Sequence, residues 1–401
     1  MPRPNVSVTV LDESLVVPTS EDTSTTLGAM VSVSGLSLFG TTAEQTQGYY
    51  LVNDIPNWFS RLQTFTRNEN ALTATESGVT FIAGYLATNG ATAWTNEWYS
   101  VYNFLQYGAP CYVGFNNDAS GLSGFFSLDV DVIFEGVTAG REQTSAFFNY
   151  RVSREAPAFG VFSVINEEIS DANLDSTNLG NPTLPITLSS PEFGCLVYGQ
   201  KKQLNVAGTS ANTTLITTTF AADVAGCLAR TDRVAYPWIS PAGVRRGQIL
   251  NVVSLAKNLT ETQQDNLYDN NINPIASFVG EGTILFGDKT RASSGSSLTS
   301  INISRLVIYL KRVLGPLGRS ILFEQNDSLT RNRFKNAADS ILREIQSQRG
   351  VSEYKIICDE SNNTSEIIEA KQFVADVLIK PIPSVNFVRI TITNKDLSDT
   401  L

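Results

Sequence analysis

The chain has 401 residues, 42% hydrophobic, 17% charged and 9% aromatic, a globular composition long enough for two or three domains at about 100–200 residues each. It contains no histidine, which excludes Ser-His-Asp and Cys-His nucleophile pairs, His-containing zinc sites and an imidazole pH switch. Its 29 Lys plus Arg against 39 Asp plus Glu give a net charge of -10, which opposes nonspecific adhesion to nucleic acid or to an anionic membrane.

The start, MPRPNVSVTV, lacks the apolar centre of a signal peptide, and no apolar run approaches the roughly 20 residues of a spanning helix. The expectation is a soluble protein made in the cytoplasm. Val6, Val8 and Val10 alternate with Ser7 and Thr9, the period of a half-buried strand. Prolines at 2, 4 and 18 and a Ser/Thr/Glu/Asp-rich stretch at 19–26 surround it. With no local hairpin partner in view, this strand is expected to pair with something distant in sequence or in another chain, as an arm.

From residue 27 the texture becomes α/β. Residues 27–40 are strand-like, and 95–108 read as an amphipathic helix with Trp98, Val101, Tyr102 and Leu105 on one side and Gly108 as its stop. Residues 109–115 follow as a short buried strand, the connection expected of a sheet covered by helices. Residues 125–134, FFSLDVDVIF, alternate, with Asp129 and Asp131 on one face and Val130 and Val132 on the other. The polar stretches 170–190 and 205–219 read as exposed loops.

The character changes near residue 260. Residues 305–319 predict a helix stopped by Gly315-Pro316, and 331–349 a helix of about five turns with Phe334, Ala338, Leu342 and Ile345 in its apolar stripe, ended by Gly350. Three strand candidates close the chain, at 354–358, 373–381 and 385–393.

Charge is unevenly shared. Residues 1–260 carry 13 basic and 22 acidic side chains, whereas residues 305–349 carry nine basic and four acidic ones. A basic island on an acidic chain is either a solvated helix face or a docking face for an acidic partner.

Catalytic motifs do not assemble. In Gly282-Thr-Ile-Leu-Phe-Gly287-Asp288-Lys289-Thr290, Asp288 separates the second glycine from the lysine, where a P-loop requires them adjacent, and Thr283 to Phe286 read as strand. Glu167/Glu168 and Asp359/Glu360 are adjacent pairs whose side chains point apart, which suits solvated loops. Cys111, Cys195, Cys227 and Cys358 are widely spaced with no CxxC, and read as buried apolar thiols. The expected inventory is no catalytic residue, no cofactor and no metal.

One stretch is far more specific. Residues 229–247, ARTDRVAYPWISPAGVRRG, resemble the signature of contractile tail sheath proteins, found in phages and related injection devices. Later blocks keep the family's order: Leu267-Tyr268, NINPI at 271–275, GTILFGDKT at 282–290, INISRL at 301–306, the long helix, Gly350, 354–359 and NNT at 362–364. The resemblance covers residues 225–393. Ser304-Arg305 stands where many members carry two adjacent basic residues, and the chain is short for a phage sheath, which implies a plain outer surface.

The resemblance implies a multidomain fold of mixed α/β and α+β character: an N-terminal linking arm (1–20), a helix-covered β-sheet outer or middle domain (21–260), a compact α+β inner domain facing the tube (261–384) and a C-terminal linking arm (385–401). Arms of this family add strands to neighbouring subunits, so Val6, Val8, Val10, Val388, Ile390 and Ile392 become inter-subunit candidates. The basic island supplies tube-docking candidates, Arg331, Arg333, Lys335 and Arg343 first, Lys311 and Arg312 second. Trp238, Pro241, Gly243, Arg245, Arg246 and Gly247 form the structural signature, its two arginines bridging subunits or capping local carbonyls. The implied function is a non-enzymatic subunit that polymerises as stacked rings around a tail tube in a virion tail assembled in the host cytoplasm. Its contraction drives the tube through a target envelope. Implied partners are further copies of the chain, the tube protein, and baseplate and tail terminator proteins, without nucleic acid or direct membrane binding. The alternatives are the sheath of a bacteriocin or injection device, a carboxylate-based hydrolase, and a β-rich receptor-binding protein.

Overall fold

Short apolar runs alternating with helices fold into one seven-stranded sheet. The computed structural model describes residues 10–11, 14–15, 26–32, 41–61, 93–115, 125, 128–177, 179, 188–206, 215–292 and 296–386. The strand order is Ile272–Asn273, Gly194–Tyr198, Phe159–Val164, Val132–Phe134, Gly28–Ser32, Cys111–Phe115 and Tyr49–Val52. All neighbours are parallel except the last pair, where Tyr49–Val52 runs antiparallel to Cys111–Phe115. Val132–Phe134, Phe159–Val164 and Gly194–Tyr198 are buried along their whole length, as parallel strands covered on both faces must be. The sheet thus draws one strand from beyond residue 260.

The helices Ala93–Leu105, Arg141–Ser153 and Ala221–Val234 pack on this sheet. Trp98 stacks between Trp58 and Tyr102, with ring centroids at 5.7 and 5.6 Å, and Phe104 lies on Phe134 at 4.9 Å. Burying each such side chain stabilises the fold by about 1.5–3 kcal/mol. A Cβ on Gly28 would sit 2.4 Å from the Phe104 ring, so glycine here permits the close approach of helix and strand.

Ionic contacts at Lys201 and at Arg141 lie inside this body. Lys201 Nζ is 2.8 Å from Asp223 Oδ1, and both side chains are fully buried; Lys201 also donates to the Leu250 carbonyl. Arg141 lies 3.1 Å from Glu135 and also pairs with Glu168. Burial, opposed by Arg141, pushes the Glu135 carboxyl up to about 7.

The second part of the chain is built on two helices, Ile301–Ile321 and Ser328–Ser347. Phe334, Ala338, Leu342 and Ile345 are all buried, and their helix packs on the strand Val351–Ile357. Asp327 caps that helix by accepting from the Thr330 amide at 2.8 Å. Val351–Ile357 pairs antiparallel with Asp376–Pro381.

The structure departs from the sequence expectations at several places, the helix Asp171–Leu174 with its buried Leu174 in the expected loop 170–190 among them. The first long helix does not stop at Gly315-Pro316 but runs on to Ile321. A proline inside a helix costs about 3 kcal/mol, and here the buried Leu306, Leu310 and Leu314, continued by Leu317 and Ile321 packed against the core, offset it. Residues 215–219 are not a loop: Leu215–Thr219 pairs antiparallel with Gln200–Leu204, which also pairs with Ser254–Leu255. Among the described residues of the alternating run 125–134, the strand is Val132–Phe134. Before it, the Leu128 amide turns back to the Phe125 carbonyl, and Asp131 accepts from the Leu27 amide at 2.8 Å. Finally, the N-terminal strand does have a local partner, since Val10–Leu11 pairs with Ser14–Leu15.

Candidate functional site

Both ends of the described chain converge on the second sheet, whose order is Val10–Leu11, Ser14–Leu15, Asp376–Pro381, Val351–Ile357. Leu15 stands opposite Val377, so the strand Ser14–Leu15 covers the edge of Asp376–Pro381, while Val10–Leu11 of the expected arm strand pairs, among the described residues, only with Ser14–Leu15. Of the arm candidates, Val10 lies in the outermost strand. Val6, Val8, Val388, Ile390 and Ile392 lie outside the described residues.

The basic island divides into committed and available charges. Arg331 is buried, donates to the Asp327 carbonyl and lies 3.5 Å from Glu360. Arg312 ion-pairs with Asp131 and lies 3.6 Å from Asp129. Lys311 is half-buried with its ammonium 5.7 Å from the Phe193 ring centroid, and burial lowers its pKa. Arg343 is exposed but pairs with Asp339, one turn earlier on the same helix, at 2.6 Å. Arg333 and Lys335 are exposed on the outer face of the helix Ser328–Ser347.

The signature loop is built from contacts its residue types explain. Trp238 stacks on Tyr236 with centroids 4.9 Å apart and planes 3° apart, meets Tyr309 edge-on, and donates its ring N–H to the Gln348 carbonyl at 3.1 Å. Pro241 is buried. Gly243 has φ +84 and donates to the Leu285 carbonyl, while Gly247 donates to the Gly243 carbonyl at 2.7 Å. A Cβ on Gly247 would meet the Gly243 backbone at 2.9 Å. Arg246 donates from Nε to the Ser240 carbonyl at 2.7 Å, and Arg245 is exposed.

Asp288, which breaks the P-loop spacing, is buried beside this loop. Its carboxylate accepts from Ser240, Tyr268, Ser384 and Asn386. Sequence reading missed it as a structural residue; the departure from the P-loop spacing was the available signal, and the donors are brought to it by tertiary structure.

A recess of about 540 Å³ is lined by residues of 248–255 together with Asn258, Ser277, Gly282 and Thr283, none of which is ionisable. A smaller one of about 190 Å³ lies between Arg151–Pro157 and the long helix, with Arg154, Lys311 and Arg319 on its wall. Among the described residues, no three His, Cys, Asp or Glu side chains group as metal ligands, and no helix is long and apolar enough to cross a membrane.

Residues 195–291 match the family model of the phage tail sheath protein central domain, and residues 293–395 that of the phage tail sheath C-terminal domain. The tail sheath protein of Vibrio phage KVP40 is 40% identical over 185 residues, 45% of this chain and 28% of that protein. That of Enterobacteria phage T4 is 42% identical over 168 residues, 42% of this chain and 26% of that protein. The match therefore spans about a quarter of the length of these relatives. Among solved structures, the PVC sheath complex of an extracellular contractile injection system, in its contracted state, superposes with a TM-score of 0.70 at 17% identity, covering 98% of both chains. The helical sheath of the anti-feeding prophage, also contracted, gives 0.64 at 15% identity, covering 98% of this chain and all of that one. The fold likeness thus extends over the N-terminal half, which the family models do not reach.

Proposed function

We propose that this chain, which belongs to the phage tail sheath family through residues 195–395, is the repeating subunit of a contractile sheath. It polymerises as stacked rings around a tail tube and contracts to drive the tube through a target envelope. The observation that carries this reading is the convergence of residues 10–15 and 376–381 on one sheet, with Leu15 opposite Val377. A strand edge that accepts residues 14–15 of its own chain accepts the same residues from a neighbour with the same hydrogen bonds, which is strand augmentation. An arm of about five such bonds at roughly 0.5–1.5 kcal/mol each is weak singly. Repeated around every ring, the links hold the lattice together while the subunit bodies swivel.

In this reading residues 1–20 and 385–401 are linking arms, 21–260 form the outer or middle domain and 261–384 the inner domain that faces the tube. Arg333 and Lys335 are the foremost tube-docking charges, with Arg343 beside them. Arg331, Arg312 and Lys311 serve the subunit's own packing, because each is already paired or half-buried. Exposed pairs worth about 0–1 kcal/mol each suit a contact that breaks when the sheath slides outward. The role is structural, a reading supported by the likeness to tail sheath proteins. The subunit's other partners are the baseplate and tail terminator proteins, and its place is the virion tail, assembled in the host cytoplasm. An injection-device sheath is the second reading, favoured by likeness of fold: the PVC sheath and this chain cover 98% of one another.

Negative-stain electron microscopy of the purified protein with its tail tube, beside variants lacking residues 1–18 or 385–401, tests the proposal. Rings or tubes that disappear on removing either end from a still-folded protein support it. Persistent monomers with both ends intact and the tube present overturn it.

A further inference from the structure

Asp288 is 4% exposed, and the adjacent Lys289 does not neutralise it by direct contact. That ammonium goes to the Tyr268 carbonyl at 2.7 Å and lies 3.9 Å from the Tyr268 ring centroid. The carboxylate is held instead by neutral donors on three segments: Ser240 Oγ at 3.3 Å from the signature loop, Tyr268 Oη at 3.4 Å, and Ser384 Oγ with Asn386 Nδ2, the latter at 3.2 Å, from the end of the described chain. Asn386 also donates to Tyr268 Oη at 2.9 Å. Hydrogen bonds to an ionised acceptor are stronger than neutral ones, so a buried carboxylate is a firm holding point for whichever segment supplies its donors.

Beyond Ile382, the segment that supplies two of them has little else to hold it. The strand Asp376–Pro381 ends in proline, Pro383 follows, and neither ring offers an N–H to a sheet partner. Ile382 donates to the Gly350 carbonyl at 3.3 Å, and Val385, between the two latching side chains, is 81% exposed. Asn302 Nδ2 also donates to the Ile382 carbonyl at 3.5 Å, so residue 382 is tied to the body, and beyond it the course of residues 383–386 is set by Pro383 and by the grip of Asp288 on Ser384 and Asn386.

We infer that Asp288 is a positioning residue for the C-terminal segment: through Ser384 and Asn386 it fixes where and in which direction the chain leaves the body, and so which neighbouring copy residues 387–401 reach. The last step rests on the strand-exchange reading; the latch itself does not. The signature loop takes part because Ser240 donates its hydroxyl to this carboxylate while its carbonyl accepts from Arg246. That assigns part of the loop a task beyond core packing.

The four native cysteines are buried, so spin labels attach selectively to full-length protein carrying Val385→Cys and Val279→Cys, both at exposed positions. With the latch intact, the distance distribution between the two labels is narrow. Ser384→Ala combined with Asn386→Ala broadens it at least roughly twofold by releasing the segment locally, with the melting temperature unchanged, whereas Ser384→Thr leaves it narrow. These changes lie on an exposed strap, so the test survives even where Asp288→Ala fails to fold. An unchanged width in the double alanine variant overturns the inference. Broadening without any polymer formed by the intact protein supports the latch and contradicts the sheath reading, so the two fail separately.

Discussion

The ammonium of Lys201 lies 2.8 Å from the carboxylate of Asp223, with neither side chain exposed to solvent. The Tyr107 hydroxyl also donates to that carboxylate, at 3.2 Å. Removing one partner leaves a buried charge uncompensated, a loss of about 3–5 kcal/mol. Lys201→Met is therefore expected to lower the denaturation midpoint severely, and Lys201→Met with Asp223→Leu to recover most of the loss. Equal destabilisation in the single and double variants would show that the charges do not act as a pair.

Glu135 gives the stability a pH dependence whose sign follows from its raised pKa. Its carboxyl, pushed up from 4.5 to about 7 by burial and facing Arg141 and Glu168, binds its proton more tightly in the folded chain. Between those two values the folded state holds more protons than the unfolded one. This group's contribution to stability therefore falls as pH rises through the window, by up to about 3 kcal/mol, and is flat above it. Comparing Glu135→Gln with the parent by chemical denaturation from pH 4.5 to 8 isolates the slope; parallel curves would remove Glu135 as its source.

All four thiols are expected to be silent in the native state. Burial pushes Cys227 up to about 12 and Cys358 up to about 11, and raises Cys111 and Cys195 further, so at pH 8 almost no thiolate is present to react. Titration with a chromogenic disulfide should count no thiol in native protein and four after denaturation.

Trp238 ties the signature loop to both long helices. Trp238→Ala removes its stack on Tyr236, its edge contact with Tyr309 and its hydrogen bond to Gln348, and is expected to cost about 3–5 kcal/mol. Trp238→Phe keeps most of the ring contact and loses the hydrogen bond, about 1 kcal/mol. Thermal unfolding in that order of severity checks the assignment.

The proposed tube docking would separate exposed from engaged charges. Arg333→Glu with Lys335→Glu is expected to leave melting unchanged but weaken association with the tube, the loss growing as salt is lowered. Arg331→Glu should destabilise the subunit itself, because its guanidinium is buried beside Glu360. Unimpaired docking of the first variant would remove those two residues from the interface.

What the sequence made legible follows the range of the interactions involved. The helix Ser328–Ser347 was readable because Phe334, Ala338, Leu342 and Ile345 repeat at local spacing, and Trp238 because its block is specific to a family. Pro316 misled because the local cost of proline is visible in sequence while the packing of Leu310, Leu314 and Leu317 that offsets it is not. Leu215–Thr219 was hidden by its threonines, which read equally well as loop or edge strand. The charge count along 305–349 could not foretell that Arg312 meets Asp131 and Arg305 meets Asp232, since those carboxylates lie far away in the chain. Asp288 was legible only as a departure from a motif, and its four donors are brought to it by tertiary structure.

The central claim is that the edge next to Val377 takes a neighbour's arm in the assembled sheath. The most direct measurement mixes two singly substituted proteins, Leu15→Cys and Val377→Cys, allows them to polymerise on the tube and adds an oxidant. Directly opposed cross-strand residues lie about 4.5–5.5 Å apart, within disulfide reach. The account predicts a covalent dimer of one copy of each protein in polymer and none in dispersed subunits. Well-formed polymer that yields no such dimer, while the doubly substituted chain closes only within itself, would contradict it.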